Sequence, residues 1–333
     1  MNRIVFTCGD INGIGPEICL KTILKLYNPQ RNKFIIAVPQ NVFSFYQKEL
    51  NSALPFEIQK SYKKFNSNPN LISVIDIGNS EIKFGRPTAA SGKLSYKSIQ
   101  TAFELIKYGY ADAMVTAPIS KTAFEKAGVN FPGHTELLAE WGNIKNYAMT
   151  FISKKMKCAL ITIHEPLILV SKKISKEKIK SVITTAKNSL VRDFNITNPR
   201  IAVLGLNPHA GENGRIGNKE ITIIKPALKE LAFKNLEGPF VPDAFFANKL
   251  YKNYDMIIGM YHDQVLIPFK MMNFHSGVNY TAGLNFIRTS PDHGTAFDIA
   301  GKNIADPSSI IEAVKVAETI IKNRRKFELH KTI

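Results

Sequence analysis

The sequence predicts an α/β protein built as two lobes on a mixed sheet. Three observations carry that prediction. Apolar, β-branched runs alternate with amphipathic stretches of helical period. Two of the apolar runs, residues 148–153 and 157–163, are separated only by the basic turn Lys154-Lys155-Met156, which calls for a hairpin and so for a mixed sheet. The chain has 333 residues, enough for two lobes of roughly 150 each, yet it shows no composition break, repeat, low-complexity tract or long linker. The lobes are therefore expected to interweave rather than follow one another.

Taken in order, "RIVFTCGD" (Arg3 to Asp10) is the first strand. The glycine-rich turn after it, "GDINGIGPEI", invites a dinucleotide fingerprint and then departs from one. Ile18 stands at the third glycine position, Pro16 sits where the helix starts, and no acidic residue ends a second strand about 20 residues on. A tight strand-to-helix turn with Pro16 at the first helical position is expected instead. "FIIAVP" (Phe34 to Pro39) and "LISVID" (Leu71 to Asp76) are further strands. Ser91 reads as the N-cap of a helix to about Lys107, with Leu94, Ala102, Phe103 and Ile106 on its apolar face. "DAMVTAPIS" (Asp112 to Ser120) is a strand running into a loop, and a helix carrying Leu137, Leu138 and Trp141 starts near His134-Thr135. After the hairpin come a helix from Lys176 to Arg192, the strands "RIAVLGL" (Arg200 to Leu206) and "DMIIGMY" (Asp255 to Tyr261), and a last helix from Ser308 to Lys326.

Composition sets aside several function classes. The formal net charge is +17, but the basic runs at 154–157, 172–180 and 322–326 are scattered, and no RNA-binding aromatic signature accompanies them. A lysine-rich solvated surface, with some attraction for anionic small molecules, is expected rather than nucleic-acid binding. No apolar run approaches the ~18 residues of a membrane span, and the apolar start is too short for a signal peptide. The three cysteines, Cys8, Cys19 and Cys158, are far apart, which implies no disulfide framework and points to the reducing cytoplasm.

Candidate chemistry gathers at strand ends. His164, His209 and His262 each follow a buried-type strand, at spacings too long for a local metal motif. Ligands of open α/β sheets bind at that edge. Three neutral imidazoles with an open position would make a catalytic divalent-metal site. Each could equally be a satisfied loop histidine. His134 and Thr135 open a helix behind Pro132-Gly133, where free N–H groups favour an anion, although Thr135 could simply be a cap. Lys270, Asn279 and Arg288 follow in the C-terminal third. Asn279 and Arg288 lie in apolar contexts and need partners, which a phosphate, a carboxylate ligand or an internal ion pair would supply. The polar loop from His293-Gly294 to Gly301 could wrap a planar ligand or merely connect.

Together, "GDINGIGPEI", "TAPISK", "FPGHTELLAE", "LNPHAGENGRIG", "GPFVPDAFF", "YHDQVLIPFK" and "NFIRTSPDHGTAFDIAGK" resemble the 4-hydroxythreonine-4-phosphate dehydrogenase family, over nearly the whole chain. A more distant likeness is to isopropylmalate and isocitrate dehydrogenases, through the glycine-rich opening and the loop His293 to Gly301. The resemblance implies a two-lobed α/β/α fold of that type, not an ordinary Rossmann fold, with the active site in the cleft between lobes. It implies NAD- or NADP-dependent oxidation of 4-(phosphooxy)-L-threonine and one divalent ion per subunit, zinc, magnesium or cobalt. His164, His209 and His262 would be its ligands, in a site shared across a homodimer interface. His134, Thr135, Lys270, Asn279 and Arg288 would contact substrate, and His293 and Gly294 the cofactor. Asp243 and Lys121 are both candidates for the base. Close relatives act on phosphorylated threonate or on cis-dihydrodiols, and Lys270 and Arg288 suit a phosphorylated substrate better.

Overall fold

The computed structural model describes residues 1–65 and 68–331. The chain forms two compact units, one of residues 1–142 with 285–321, the other of residues 143–284 with 322–331. The first run holds β1 (Asn2–Thr7), α1 (Gly15–Leu26), β2 (Asn32–Val38), α2 (Gln40–Glu49), β3 (Phe56–Gln59), β4 (Ile72–Asp76), α3 (Ala89–Lys107), β5 (Ala113–Thr116), α4 (Lys121–Lys126) and α5 (His134–Trp141). The second run holds β6 (Ala148–Ile152), β7 (Lys157–Leu160), α6 (Leu167–Lys173), α7 (Lys176–Phe194), β8 (Ile201–Leu204), α8 (Lys225–Leu231), β9 (Leu236–Phe240), α9 (Pro242–Ala247), β10 (Met256–Gly259), α10 (His262–Asn273) and β11 (Val278–Ala282). β12 (Ile287–Pro291) and α11 (Ser308–Lys331) close the chain.

In the first unit the strands run in the order β3-β4-β2-β1-β5-β12, and every pair is parallel. Parallel strands are covered on both faces, so they are written as continuous apolar runs, and β2 is buried at all seven positions. In the second unit the order is β11-β6-β7-β10-β8-β9. There β6 is antiparallel to both β7 and β11, while β7, β10, β8 and β9 are mutually parallel. The hairpin expected at the basic turn is the β6–β7 pair.

The turn after β1 is tight for a packing reason. A Cβ on Gly15 would stand 2.3 Å from the Cys8 carbonyl oxygen, and one on Gly13 would stand 2.8 Å from that of Thr295. These glycines let backbone approach backbone, and Pro16 follows in the first turn of α1. The cap of α3 is Thr88 rather than Ser91. The two hydroxyls form a reciprocal capping box, Ser91 N donating to Thr88 Oγ1 at 3.0 Å and Thr88 N to Ser91 Oγ at 3.2 Å. Ser91 Oγ also donates to the buried Asp10 at 3.1 Å, so the third helical residue ties α3 to the turn. The buried face of α3 is Leu94, Ile99, Ala102 and Leu105, while Phe103 packs on Trp141 and Phe286.

In the second unit, buried Asp193 closes α7 against β11 and the end of α11. Arg192 and Arg324 pair with its carboxylate at 2.8 and 2.7 Å, and Tyr280 donates to it at 2.5 Å. Burial opposes ionisation there, but the two guanidiniums outweigh it and hold the carboxyl below the usual range. α10 buries Val265, Leu266 and Phe269 against β7, β8 and β10 and leaves Ile267 and Met271 exposed.

Candidate active site

The three histidines fall on the C-terminal ends of adjacent strands. β10 lies between β7 and β8 and is parallel to both. His164 follows β7, His262 opens α10 directly after β10, and His209 follows β8. Side chains lace these ends together. Thr162 Oγ1 donates to the Met260 carbonyl at 2.7 Å. Gln264 accepts from Met260 N at 2.7 Å and donates to the Gly205 carbonyl at 2.6 Å.

Two of the imidazoles meet. The rings of His164 and His262 lie 5.8 Å apart and border a cavity of about 330 Å³, with Thr162, Glu165, Tyr261 and Asp263 around them. His262 Nδ1 is 2.6 Å from the Asp263 carboxylate. A proton held there leaves Nε2 with its lone pair toward a ligand, the usual arrangement of a metal-bound histidine. His209 does not join them within one chain. Among the described residues no group of three or more His, Cys, Asp or Glu side chains could hold a metal ion. The pair fits a divalent ion in donor chemistry and falls one protein ligand short of a catalytic triad of histidines.

His209 sits in an unusual turn. From His209 to Asn213 all five residues have positive φ: +50, +47, +79, +41 and +55°. For each residue other than glycine this conformation costs roughly 1–2 kcal/mol, so the surrounding contacts must enforce it.

The first unit carries His134, Thr135 and Arg288. Arg288, on β12, lies opposite Met114 of β5 and is only 4% exposed. Its Nε donates to Thr116 Oγ1 at 3.0 Å. Burial pulls its pKa down to about 10, partly offset by Glu136, so the guanidinium stays charged at neutral pH. His134 and Thr135 are the first two residues of α5, whose N-cap is Gly133. His134 is held well below the ordinary histidine value, first by burial and then by the Arg288 charge, and so is neutral. Its Nε2 is buried without a hydrogen-bond partner. A buried polar atom in that state, beside a desolvated guanidinium and at a helix start, is chemically suited to an anionic ligand.

The remaining predicted residues are placed by their elements. Lys270 is exposed in the last turn of α10, and Asn279 is half-buried on β11 opposite Phe151. His293 and Gly294 are exposed in the loop after β12. That loop is bound to the first glycine turn, since Ile14 N donates to the Thr295 carbonyl at 3.0 Å. Asp243 and Lys121 are both exposed in first helical turns, and nothing in their surroundings favours either as a base. Sequence reading passes over Asp263 and Gln264, although an acid directly after a strand-end histidine is a signal that could find the first.

Known proteins are similar to this chain in sequence and fold. The family model described as pyridoxal phosphate biosynthetic protein PdxA matches residues 30–317. A 4-hydroxythreonine-4-phosphate dehydrogenase from Sulfurihydrogenibium sp. (strain YO3AOP1) is 43% identical over 330 residues, which cover 98% of this chain and 100% of that protein. A D-threonate 4-phosphate dehydrogenase from Pectobacterium atrosepticum is 37% identical, over 95% of this chain and 99% of that one. Among solved structures, 4-hydroxythreonine-4-phosphate dehydrogenase from Klebsiella pneumoniae superposes with a TM-score of 0.83 at 37% identity, covering 96% of this chain and 98% of that one. Isocitrate dehydrogenase from Methylococcus capsulatus shares the fold at a TM-score of 0.50 and 13% identity, covering 99% of this chain and 89% of that one.

Proposed function

The chain belongs to the pyridoxal phosphate biosynthetic protein PdxA family, and from that premise we propose that it oxidises 4-(phosphooxy)-L-threonine with NAD or NADP. The product, 2-amino-3-oxo-4-(phosphooxy)butanoate, then loses CO₂ to give 3-amino-2-oxopropyl phosphate, a precursor of pyridoxine 5'-phosphate. The observation that carries the reading is the orphaned, buried Nε2 of His134 beside buried Arg288. A phosphate is the substrate group those residues suit. Neutral His134 donates from Nε2, the start of α5 supplies N–H groups at Thr135, and the Arg288 guanidinium offers a planar pair of donors. Lys270 and Asn279 are assigned to the rest of the substrate, and the loop at His293-Gly294 to the nicotinamide cofactor.

His164 and His262 of one copy and His209 of a second would hold one divalent ion, zinc, magnesium or cobalt. When bound, such an ion acts as a Lewis acid on a substrate oxygen, and the nicotinamide accepts hydride. Asp263 keeps His262 in the tautomer that ligation needs. Phosphate anchoring fixes the substrate so that its C3 can be presented repeatedly in one orientation. A homodimer is supported by the failure of one chain to gather all three histidines and by a stripe on α10 and the residue after it. Ile267, Met271 and Phe274 recur at helical spacing and are 59%, 82% and 78% exposed. A cytoplasmic location is supported by three buried cysteines that form no disulfide with one another.

The D-threonate 4-phosphate dehydrogenase relative favours a second reading, oxidation of 4-phosphothreonate at the same site. The amino and hydroxy substrates, assayed side by side with NAD and NADP before and after chelation, separate the two. Reduction of nicotinamide with the amino substrate, lost on chelation and restored by metal, is expected. Turnover of the hydroxy substrate alone would establish the second reading, and no nicotinamide reduction with either would sink both. Replacing Met271 and Phe274 together by Asp is expected to give monomers in sedimentation and to abolish turnover. A dimer unmoved by both substitutions would remove this face from the interface.

A further inference from the structure

Glu220 reaches into the base of the His209 turn, and the proposed chemistry gives it no role. It is 1% exposed and opens a π-helical turn, Glu220–Ile224, that leads into α8. Buried carboxylates need strong partners. The partners here are Leu206 N and Asn207 N, which donate to Oε1 at 2.8 and 2.7 Å, and Asn207 Nδ2, which donates to Oε2 at 3.0 Å. All three donors lie in the two residues that precede Pro208-His209. The turn also closes over the carboxylate from the other side. A Cβ on Gly211, where φ is +79°, would stand 2.7 Å from Glu220 Oε2 and 2.6 Å from the Gly217 carbonyl.

The turn cannot hold this shape by local preference. Four of its five left-handed residues, His209, Ala210, Glu212 and Asn213, are not glycine, and such a run persists only where its surroundings over-determine it. Its internal hydrogen bonds, Ala210 N to Asn207 O and Ile216 N to Gly211 O, close the turn on itself without orienting it against the sheet. Glu220 supplies that orientation, because it grips the backbone at the point where β8 gives way to the turn. Its two backbone bonds are charge-assisted and fix the entry direction of the chain.

We propose that Glu220 is the positioning residue of His209. It sets the direction in which the imidazole is delivered and thereby the affinity of the divalent metal, which it does not itself touch. This rests on the reading of His209 as a metal ligand. Groups that orient a ligand from behind typically change metal affinity by about 10–100-fold when removed.

The test is Zn²⁺ titration by calorimetry of the metal-free, full-length protein, with amide hydrogen exchange read at residues 206–213. Glu220→Ala is expected to weaken Zn²⁺ binding by about 10–100-fold and to speed exchange at Leu206 and Asn207. Glu220→Gln keeps a carbonyl oxygen for both backbone donors, and Asn207 can turn its amide to match, so near-parent affinity should return. His209→Ala should lose at least as much affinity as Glu220→Ala, and the double variant no more than His209→Ala alone, because the two act through one ligand. Should Glu220→Ala fail to fold, Asn207→Ala removes the bond to Oε2 and should show a smaller loss with the same non-additivity. Parent-like Zn²⁺ affinity in Glu220→Ala or Asn207→Ala, with affinity lost in His209→Ala, would overturn the positioning role alone. So would losses that add in the double variant. Full affinity in His209→Ala would overturn the ligand reading itself and the role of Glu220 with it.

Discussion

Arg288 and His134 occupy the first unit, Arg288 4% exposed and His134 with a buried, unpartnered Nε2. His164 and His209 occupy the second and are open to solvent, and only His164 and His262 approach each other. The contrast is one of completeness. The proposed anion half is built by one chain, on a strand and a helix start. Its cost is a desolvated guanidinium and an orphaned imidazole, both relieved when an anion arrives. The histidine half is aligned by the sheet but left short of a ligand, and it stands in the unit that carries exposed apolar side chains on α10. The proposed sharing of this site with a second copy fits its openness, since a site that admits a second contributor cannot be buried by the first.

Substitutions in either half are expected to affect that half alone. The largest effect is expected from His209→Ala, which removes a proposed ligand of the metal. Lewis-acid stabilisation of several kcal/mol, at 1.36 kcal/mol per decade, predicts a fall in kcat of roughly a thousandfold. Near-normal turnover at saturating divalent metal would remove His209 from the site. Next is Arg288→Ala, which takes a charged donor from the proposed phosphate site. Each such bond contributes about 1.5–3 kcal/mol, so KM for the phosphorylated substrate should rise about 10–100-fold, with Zn²⁺ affinity unchanged. An unchanged KM would show that the anion half is not where phosphate binds. Asp263→Asn should weaken Zn²⁺ binding by about tenfold without changing the sedimentation of the protein, and undiminished affinity would mean that His262 needs no orienting partner.

The smallest effect is on stability. His134 is held well below its ordinary value of 6.5, by burial and then by Arg288. The unfolded chain therefore takes up a proton near pH 6.5 that the folded chain refuses. The contribution of neutral His134 is complete above about pH 6.5 and is lost as pH falls toward the folded value, by at most ~1.4 kcal/mol per pH unit. Urea unfolding at pH 7.5 and 5.5 should show a larger acid loss in the parent than in His134→Gln. Equal losses would place the imidazole in water.

The legible parts of the fold are those whose burial is written locally. β2, β7, β8 and β10 are short apolar runs ended by polar or turn residues, and β6 and β7 are joined by four residues that include Lys154 and Lys155. β9 is not legible, because "LEGPF" is a partly exposed edge strand broken by Gly238-Pro239. β11 and β12 escape for another reason. Their polar members, Asn279 and Arg288, draw attention as site residues and hide the strands that carry them. In α3 two hydroxyls three residues apart could each serve as cap, and only the reciprocal bonds between Thr88 and Ser91 decide which does.

By itself the sequence determined which residue types stand at strand ends and helix starts. Apolar periodicity and turn chemistry are local and leave a local record, so that record alone assigns His164, His209, His262, His134 and Thr135 to their edges. Only the tertiary structure decided who meets whom. It set β10 between β7 and β8, out of chain order, so that His262 came beside His164. It turned five consecutive residues at His209 into the left-handed region against their own preference, and it buried Arg288 beside His134. Those outcomes depend on long-range packing, in which one residue's cost is offset by contacts from distant segments, and no window along the chain contains both.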